Sequence, residues 1–396
     1  MKFYQVKYLS YFLFFIGLYF AGRYCINSLA IFVIVAIIGL FKEGIRPIKE
    51  FPKLLLLPIA FYIIHIISSL YSSNTPEALF DLEVKFSFLL LPIIFGLQKS
   101  IGNKEFINIL RIYVHATSLS MFVLLAINIG RYLSHGRFLF YNDYSDMLHP
   151  SYLSMYLIFN ILIIVFLFIK KQEKPIYLLL SSLISFATLF IAESKAGQLT
   201  ALLIIIFIAF QLIPSKFRRQ AIISSFVLVL VFGYIAKDTK RFSFFVNAME
   251  HYSQIKAHPE KIKESTALRI LAWSASIEVI KRNPILGVGN GDIKDELSKV
   301  YAERDYNKPL EMHMNSHNQY LETTVGQGLV GLAFLFLMFL APLFIVQQNP
   351  LLVQGFILLA LLSILVESMF NTQAGVIFIA FFYALSFSRN YSHKLI

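Results

Sequence analysis

The chain has 396 residues, of which 57% are hydrophobic and only 15% charged, with a formal net charge of +12. A mean hydropathy of +0.68, with apolar runs of roughly 18 to 20 residues recurring from end to end, excludes a soluble globular fold and points to bilayer spans. The single cysteine, Cys25, excludes an intrachain disulfide and any cysteine-based metal or redox motif.

Hydropathy, taken from the N-terminus, predicts helices near residues 9–22, 27–41, 54–71, 79–97, 106–129, 150–168, 174–192, 196–213, 219–236, 317–346, 351–370 and 372–388. This is an all-α polytopic membrane protein of about twelve spans, one transmembrane domain over residues 1–396. Lys2 and Lys7 ahead of an apolar stretch have signal-peptide polarity, but Gly22-Arg23-Tyr24-Cys25 is a poor small-residue cleavage site and further spans follow, so the first helix is expected to be retained.

An even number of spans puts both termini on one side, and Lys and Arg choose which. With cytoplasmic termini, the inner loops and tails hold sixteen Lys and Arg, among them Arg46, Lys53, Lys104 and Lys171, whereas the short outer loops hold four, Arg23, Arg131, Arg137 and Lys195. The inner segments also carry four acids, Glu43, Glu50, Glu105 and Glu173, so their balance of +12 equals the entire net charge. The basic character is a topology signal directed at anionic inner-leaflet lipid and implies no nucleic-acid partner. Residues 237–316 then form a long loop on the outer side between the ninth and tenth spans, and a long polar loop in a compact protein is generally functional.

Ionisable side chains within spans are costly and therefore informative. Under this topology Asp81, Glu83 and Lys85 fall in the first turns of the fourth span at its outer end, and His149 opens the sixth span from outside. Glu193 and Lys195 occupy the outer turn before the eighth span, and Glu367, Asn371 and Gln373 surround the outer turn between the last two; Arg111, near an inner end, is the main exception. Each residue taken singly fits mutual pairing or snorkelling to the interface, but their shared side points to an outward-facing site. A secondary transporter would instead place polar groups and broken helices near the midplane in two related halves, and no internal repeat of that kind is visible.

Within the outer loop, Leu268, Leu271, Ala272, Ala275 and Val279 recur at helical spacing from candidate N-caps at Ser265 or Thr266 to about Arg282, where Asn283-Pro284 ends the pattern. An amphipathic helix lying on the outward surface of the membrane is expected. Arg269 falls in its first turn, where guanidinium and backbone N–H groups together suit a phosphate; a solvated surface arginine is the competing reading. Gly287-Val288-Gly289-Asn290-Gly291-Asp292 lacks a preceding strand and the G-x-G-x-x-G spacing, and reads as a flexible turn instead of a nucleotide loop.

Ser316 followed three residues later by Gln319 satisfies the capping-box pattern, which makes His317 the first residue of the tenth helix. The helix dipole there disfavours imidazolium and attracts anions, so a neutral His317 suits a general base beside a phosphorylated substrate. An interfacial histidine without chemistry, or a metal pair with His313 at i, i+4, are the competing readings; no nearby carboxylate or third histidine in sequence completes a metal site, and none is expected.

Taken together, Arg269 within Leu268-Arg269-Ile270-Leu271-Ala272-Trp273, the downstream Asn283-Pro284-Ile285-Leu286-Gly287-Val288-Gly289, and His317-Asn318-Gln319-Tyr320-Leu321-Glu322 leading into a Gly-rich helix resemble the O-antigen ligase and polymerase family. The long loop before the tenth span extends that resemblance over essentially the full chain. It implies a GT-C-like arrangement in the bacterial inner membrane with the active site on the periplasmic face. The implied reaction is a cofactor-free, metal-independent, inverting transfer of a glycan from undecaprenyl diphosphate to an acceptor sugar hydroxyl, typically on lipid A-core. Polymerisation of lipid-linked repeat units is the alternative, and a lipid-linked sugar transporter a more distant one. By the same resemblance the residue matching Arg269 binds the donor diphosphate and that matching His317 activates the acceptor. Where the family often has Ser-Arg-Gly, this chain has Ser194-Lys195-Ala196-Gly197, so Lys195 keeps the charge of a second diphosphate contact but loses the bidentate fork. Asn318, Glu322, Lys85 and His149, the last in His149-Pro150-Ser151-Tyr152, are expected as supporting residues.

Overall fold

The computed structural model describes residues 2–20, 22–136, 138–140, 144, 148–217, 220, 265–346 and 349–388. Helices α1 (Phe3–Tyr19), α2 (Gly22–Glu43), α3 (Leu56–Leu70), α4 (Thr75–Lys85), α5 (Ser87–Leu97), α6 (Asn103–His135), α7 (Pro150–Ile169), α8 (Pro175–Ile191) and α9 (Lys195–Leu212) come first. They are followed by α10 (Ser265–Arg282), α11 (Ile293–Glu303), α12 (Asn307–Glu311), α13 (Gln319–Ile345), α14 (Pro350–Val366) and α15 (Gln373–Phe387). The protein is all-α and polytopic: among the described residues α2, α6, α7, α9, α13 and the stretch 53–70 that ends in α3 are long and apolar enough to cross a bilayer, and α8, α14 and α15 are shorter apolar helices.

Each expected span has a helical counterpart except that at 219–236, which apart from residue 220 lies outside the described residues together with the 237–264 part of the expected outer loop. The fourth span is divided, with α4 ending at Lys85 and α5 starting at Ser87, and Phe86 at the joint donates its N–H to Glu83 in a tighter turn at 3.3 Å.

α7 and α15 are apolar on all faces, so they are stable only where other helices surround them, and nearly every residue of each is buried. Aromatic rings fill the space around α15, as in the edge-to-face pair of Phe15 with Phe381 at 5.3 Å between ring centres. A chain of hydroxyls crosses the same core: Tyr19 Oη lies 2.7 Å from Thr117 Oγ1, Tyr113 donates to the Tyr156 carbonyl at 3.0 Å, and Tyr156 donates to the Ala374 carbonyl at 2.8 Å. These bonds join α1, α6, α7 and the start of α15, where no water competes for them. α9 meets α7 at Gly197, where a Cβ would stand 2.4 Å from Ser154 Cβ.

A second, smaller core sits beside this bundle. Leu268, Leu271, Ala272, Ala275 and Val279 of α10 are buried against Leu297, Val300 and Tyr301 of α11 and Val325 of α13. The apolar face read from the sequence is therefore real, but it is covered by protein, which corrects the expectation that this helix rests on the membrane surface. An apolar stripe is satisfied equally by lipid or by neighbouring helices, and its spacing does not distinguish them.

The tenth span differs most from expectation. α13 is interrupted at Gly328, whose φ of 64° and ψ of −161° break the helix. The groups released are taken up by residues 284–289: Leu329 N–H donates to the Pro284 carbonyl at 2.9 Å and Val330 N–H to Ile285 at 3.3 Å, while Val288 and Gly289 N–H groups donate to the Val325 and Gly326 carbonyls, both at 2.9 Å. The segment expected to be a flexible turn is thus fixed along a helix break. Only glycine fits at the contact, because a Cβ on Gly328 would meet the Ile285 carbonyl oxygen at 2.1 Å.

The Gly197 contact yields a stability test. Gly197→Val should destabilise the protein by about 1–3 kcal/mol through overpacking, whereas Gly130→Ala, which has nothing within 4 Å, should be neutral or stabilising. Thermal unfolding of the detergent-purified variants, compared with the parent, reads both signs.

Candidate active site at the head of helix α13

Three chain segments converge on one carboxylate. α13 begins at Gln319 and its N-cap is Asn318, whose side chain accepts the Leu321 N–H at 3.2 Å. Ser316 does not cap the helix as expected: its hydroxyl accepts from Ser276 of α10 at 2.9 Å, and its own N–H donates to Glu322 at 2.9 Å. His317 consequently lies ahead of the helix, not in its first turn, with a left-handed φ of 44° that L residues adopt at a cost. Its N–H donates to the Asn315 side chain at 2.8 Å.

This conformation points the imidazole at the turn after α14. His317 Nδ1 is 2.8 Å from Glu367 Oε1, and Arg269 Nη2 reaches Glu367 Oε2 at 3.4 Å. The Glu367 side chain is 8% exposed, while those of His317 and Arg269 are each 27% exposed, so the carboxylate forms the floor and the two nitrogen groups keep an open side. Ser368 N–H donates to the same Oε1 at 3.2 Å, and the Ser368 hydroxyl accepts the Asn318 N–H at 3.2 Å, tying the turn to the helix head.

Burial pushes the Glu367 carboxyl up, but the His317 hydrogen bond and the charges of His317, Arg269 and His149 outweigh it and hold the group below its ordinary value of 4.5. His149, the N-cap of α7, lies within electrostatic reach of Glu367, Arg269 and His317. Burial first, then Arg269 and His317 against the opposing pull of Glu367, lowers it from 6.5, so it is neutral at neutral pH. The helix-dipole argument for His317 does not apply, because the residue stands outside the helix and its immediate partner is an anion.

The structure brings Arg269, His317 and His149 together as the sequence suggested. Lys195 stands exposed at the start of α9, whose next residues, Ala196 and Gly197, share a gap of only about 10 Å³ with Ser151, Val366 and Met369. Asn318 and Glu322 are props beneath the site: the buried Glu322 carboxylate accepts from Ser316 N–H and, at 2.8 Å, from the Asn371 amide. Lys85 belongs to a separate buried cluster, where its ammonium pairs with Asp81, which also bonds His65 Nδ1 at 3.1 Å.

Glu367 is the residue that sequence reasoning noted without giving it a role. Its signal was an acid directly after the apolar run Ile364-Leu365-Val366, where an ionisable group is expensive to keep.

A family model described as O-antigen ligase matches residues 180–336, a stretch that contains Lys195, Arg269 and His317. That match supports the O-antigen ligase and polymerase family. A Haemophilus influenzae protein described as uncharacterized is 27% identical over 195 residues, which are 48% of this chain and 48% of that one. The chain therefore spans about half the length of the curated relative it matches.

The depressed Glu367 group gives a pH prediction. A carboxyl lowered on folding contributes stability above its unfolded value, and the contribution is lost as pH falls through the folded value. Glu367→Gln should lower the thermal midpoint at neutral pH, and the gap between the two proteins should close from about pH 5 downward. Melting curves across that range measure it; a constant gap would mean the ion pair is not the source.

Proposed function

We propose that the chain transfers a glycan from a polyprenyl diphosphate carrier to a sugar hydroxyl, as an O-antigen ligase acting on a lipid A-core acceptor, at the outward face of the inner membrane. The observation that carries this reading is the meeting of Arg269 and His317 on the buried Glu367 carboxylate.

Glu367 accepts the proton-bearing Nδ1 of His317, which leaves the Nε2 lone pair as the proton acceptor. An acceptor hydroxyl seated at Nε2 gives up its proton as its oxygen attacks the anomeric carbon. The bond from that carbon to the diphosphate breaks on the opposite side, so the configuration inverts and the polyprenyl diphosphate leaves as an anion. Glu367 balances the positive charge that develops on the imidazole, and Arg269 offers its remaining guanidinium donors to the departing diphosphate. Lys195 adds a second cation as a point charge. The leaving group needs no proton, so a single base suffices and no pair of opposed carboxylates is required. A neutral His149 at the rim accepts or donates a hydrogen bond to a sugar hydroxyl without adding charge.

The orientation belongs to the same proposal, with both termini cytoplasmic and the 237–316 segment periplasmic, supported by the concentration of Lys and Arg on the other side. Cys25 is buried, so a Lys299→Cys variant at an exposed position of α11 has a quiet background. A membrane-impermeant thiol reagent added to intact spheroplasts should label it; labelling only after lysis would place this segment in the cytoplasm.

For the chemistry, purified protein is given a lipid-linked oligosaccharide with lipid A-core, or with donor alone, and the products are resolved by gel. His317→Ala should lose transfer by about 10²–10⁴-fold, the range for removing a general base, and Arg269→Ala should lose it comparably while Arg269→Lys retains part. Product from donor alone would identify polymerisation, and undiminished transfer by His317→Ala would end the assignment.

A further inference from the structure

The Gly-rich segment between α10 and α11 has no part in the chemistry above, yet it is bonded to two other parts of the chain. Besides its four backbone bonds to the α13 break, it grips the last turns of α3 and the turn that leads to α4. Asn290 donates its side-chain amide to the His65 carbonyl at 2.8 Å and its N–H to Ser68 Oγ at 3.1 Å, and its side-chain oxygen accepts from Ser68 and Gln327. Gly291 N–H donates to Ser72 Oγ at 3.1 Å. The Asp292 carboxylate accepts the N–H groups of Ser73 and Asn74, both at 2.8 Å, at the point where α4 starts. The glycines are required by proximity: a Cβ on Gly291 would lie 2.2 Å from the Asn74 carbonyl oxygen, and Gly289, at a φ of 98°, lies against Ser72.

One end of this segment is the C-terminus of α10. Arg269 lies thirteen residues back along that helix from Arg282, about 20 Å at 1.5 Å per residue. A tilt of about 3° at the anchored end therefore moves the guanidinium by about 1 Å over that 1.5 Å-per-residue length, and a misplacement of that size is enough to impair a positioned group. The buried Ser276 to Ser316 hydroxyl contact holds the middle of the same helix to the residue beside His317. Without the clamp, α10 would keep the Ser276 to Ser316 contact, the Arg269 to Glu367 pair and its apolar contacts, the last of which resist separation but not sliding.

We infer that Gly328, Asn290 and Asp292 are positioning residues for donor binding: the Pro284–Asp292 segment, locked into the α13 break and onto the α3–α4 turn, sets where Arg269 stands relative to Glu367 and His317. The part that concerns donor binding rests on the proposed transferase reading, while the part that concerns geometry does not.

The test has two readouts. Spin labels at Ile277→Cys on α10 and Leu365→Cys on α14, both exposed sites, in a Cys25→Ser background report the distance between the arginine-bearing helix and the glutamate-bearing one. The parent should give a narrow distribution, and Asn290→Ala should broaden or shift it. Without labels, Asn290→Ala should raise the donor KM at least fivefold, with a smaller fall in kcat because the displaced Arg269 also faces the departing diphosphate. Gly328→Ala should do the same more strongly, and if it fails to accumulate in membranes, Asn290→Ser carries the test. An unchanged distance distribution in Asn290→Ala overturns the inference, as does a loss confined to kcat. Absence of transfer by the parent protein would sink the transferase reading and leave the distance result to decide the geometry.

Discussion

The arrangement of α10, α11 and the head of α13 depends on how a broken transmembrane helix satisfies its backbone. In an apolar surrounding each unpaired N–H or C=O costs several kcal/mol, so a helix can be interrupted only where other groups stand ready to replace the lost bonds. The break in α13 at Gly328 meets this requirement with main-chain groups from residues 284–289, which donate and accept in register with what the helix releases. The consequence is architectural. Two elements separated along the chain, the helix bearing Arg269 and the segment bearing His317, become parts of one body because the connector after the first is built into the second.

On that body the chemistry is organised by a buried anion. A carboxylate at the position of Glu367 would be costly alone, and it is held ionised by an imidazole and a guanidinium on its two oxygens. The same arrangement recurs deeper in the bundle, where Asp81 is shared by His65 and Lys85. The difference is access. His65 and Lys85 are buried, with the surrounding polar groups knitted to Asn290, so that cluster holds structure together. Around Glu367 the partners keep an exposed side, so charge that is balanced at rest is available to a ligand.

The second hydrophobic core covers the apolar faces of α10 and α11 with protein. α10 and α11 bury their apolar faces in each other and in the head of α13, at Val325, close to the helix break. Packing and main-chain bonding therefore act at the same place. The cap at Asn318, the Ser276 to Ser316 contact and the Glu322 carboxylate then hold the short stretch around His317 in a left-handed turn that it would not keep by itself.

The sequence by itself determined the class of molecule, because recurring apolar runs of about twenty residues have few physical solutions. It also determined the apolar face of α10, whose periodicity survives in the structure residue for residue, and it singled out Arg269, His317 and His149, which the structure brings to one place. What only the tertiary structure decided are the choices between partners that local pattern leaves equal. Ser316 and Asn318 both suit an N-cap, and Asn318 takes the role because Ser276, forty residues away, occupies the serine hydroxyl. An apolar stripe on α10 suits lipid or protein, and protein covers it. Gly287 to Asp292 suits a flexible turn until the α13 break and the α3–α4 turn are placed beside it. Glu367 acquires its meaning in the same way, for a carboxylate's role is set by the cations that reach it, and those arrive from segments fifty and ninety-eight residues away along the chain.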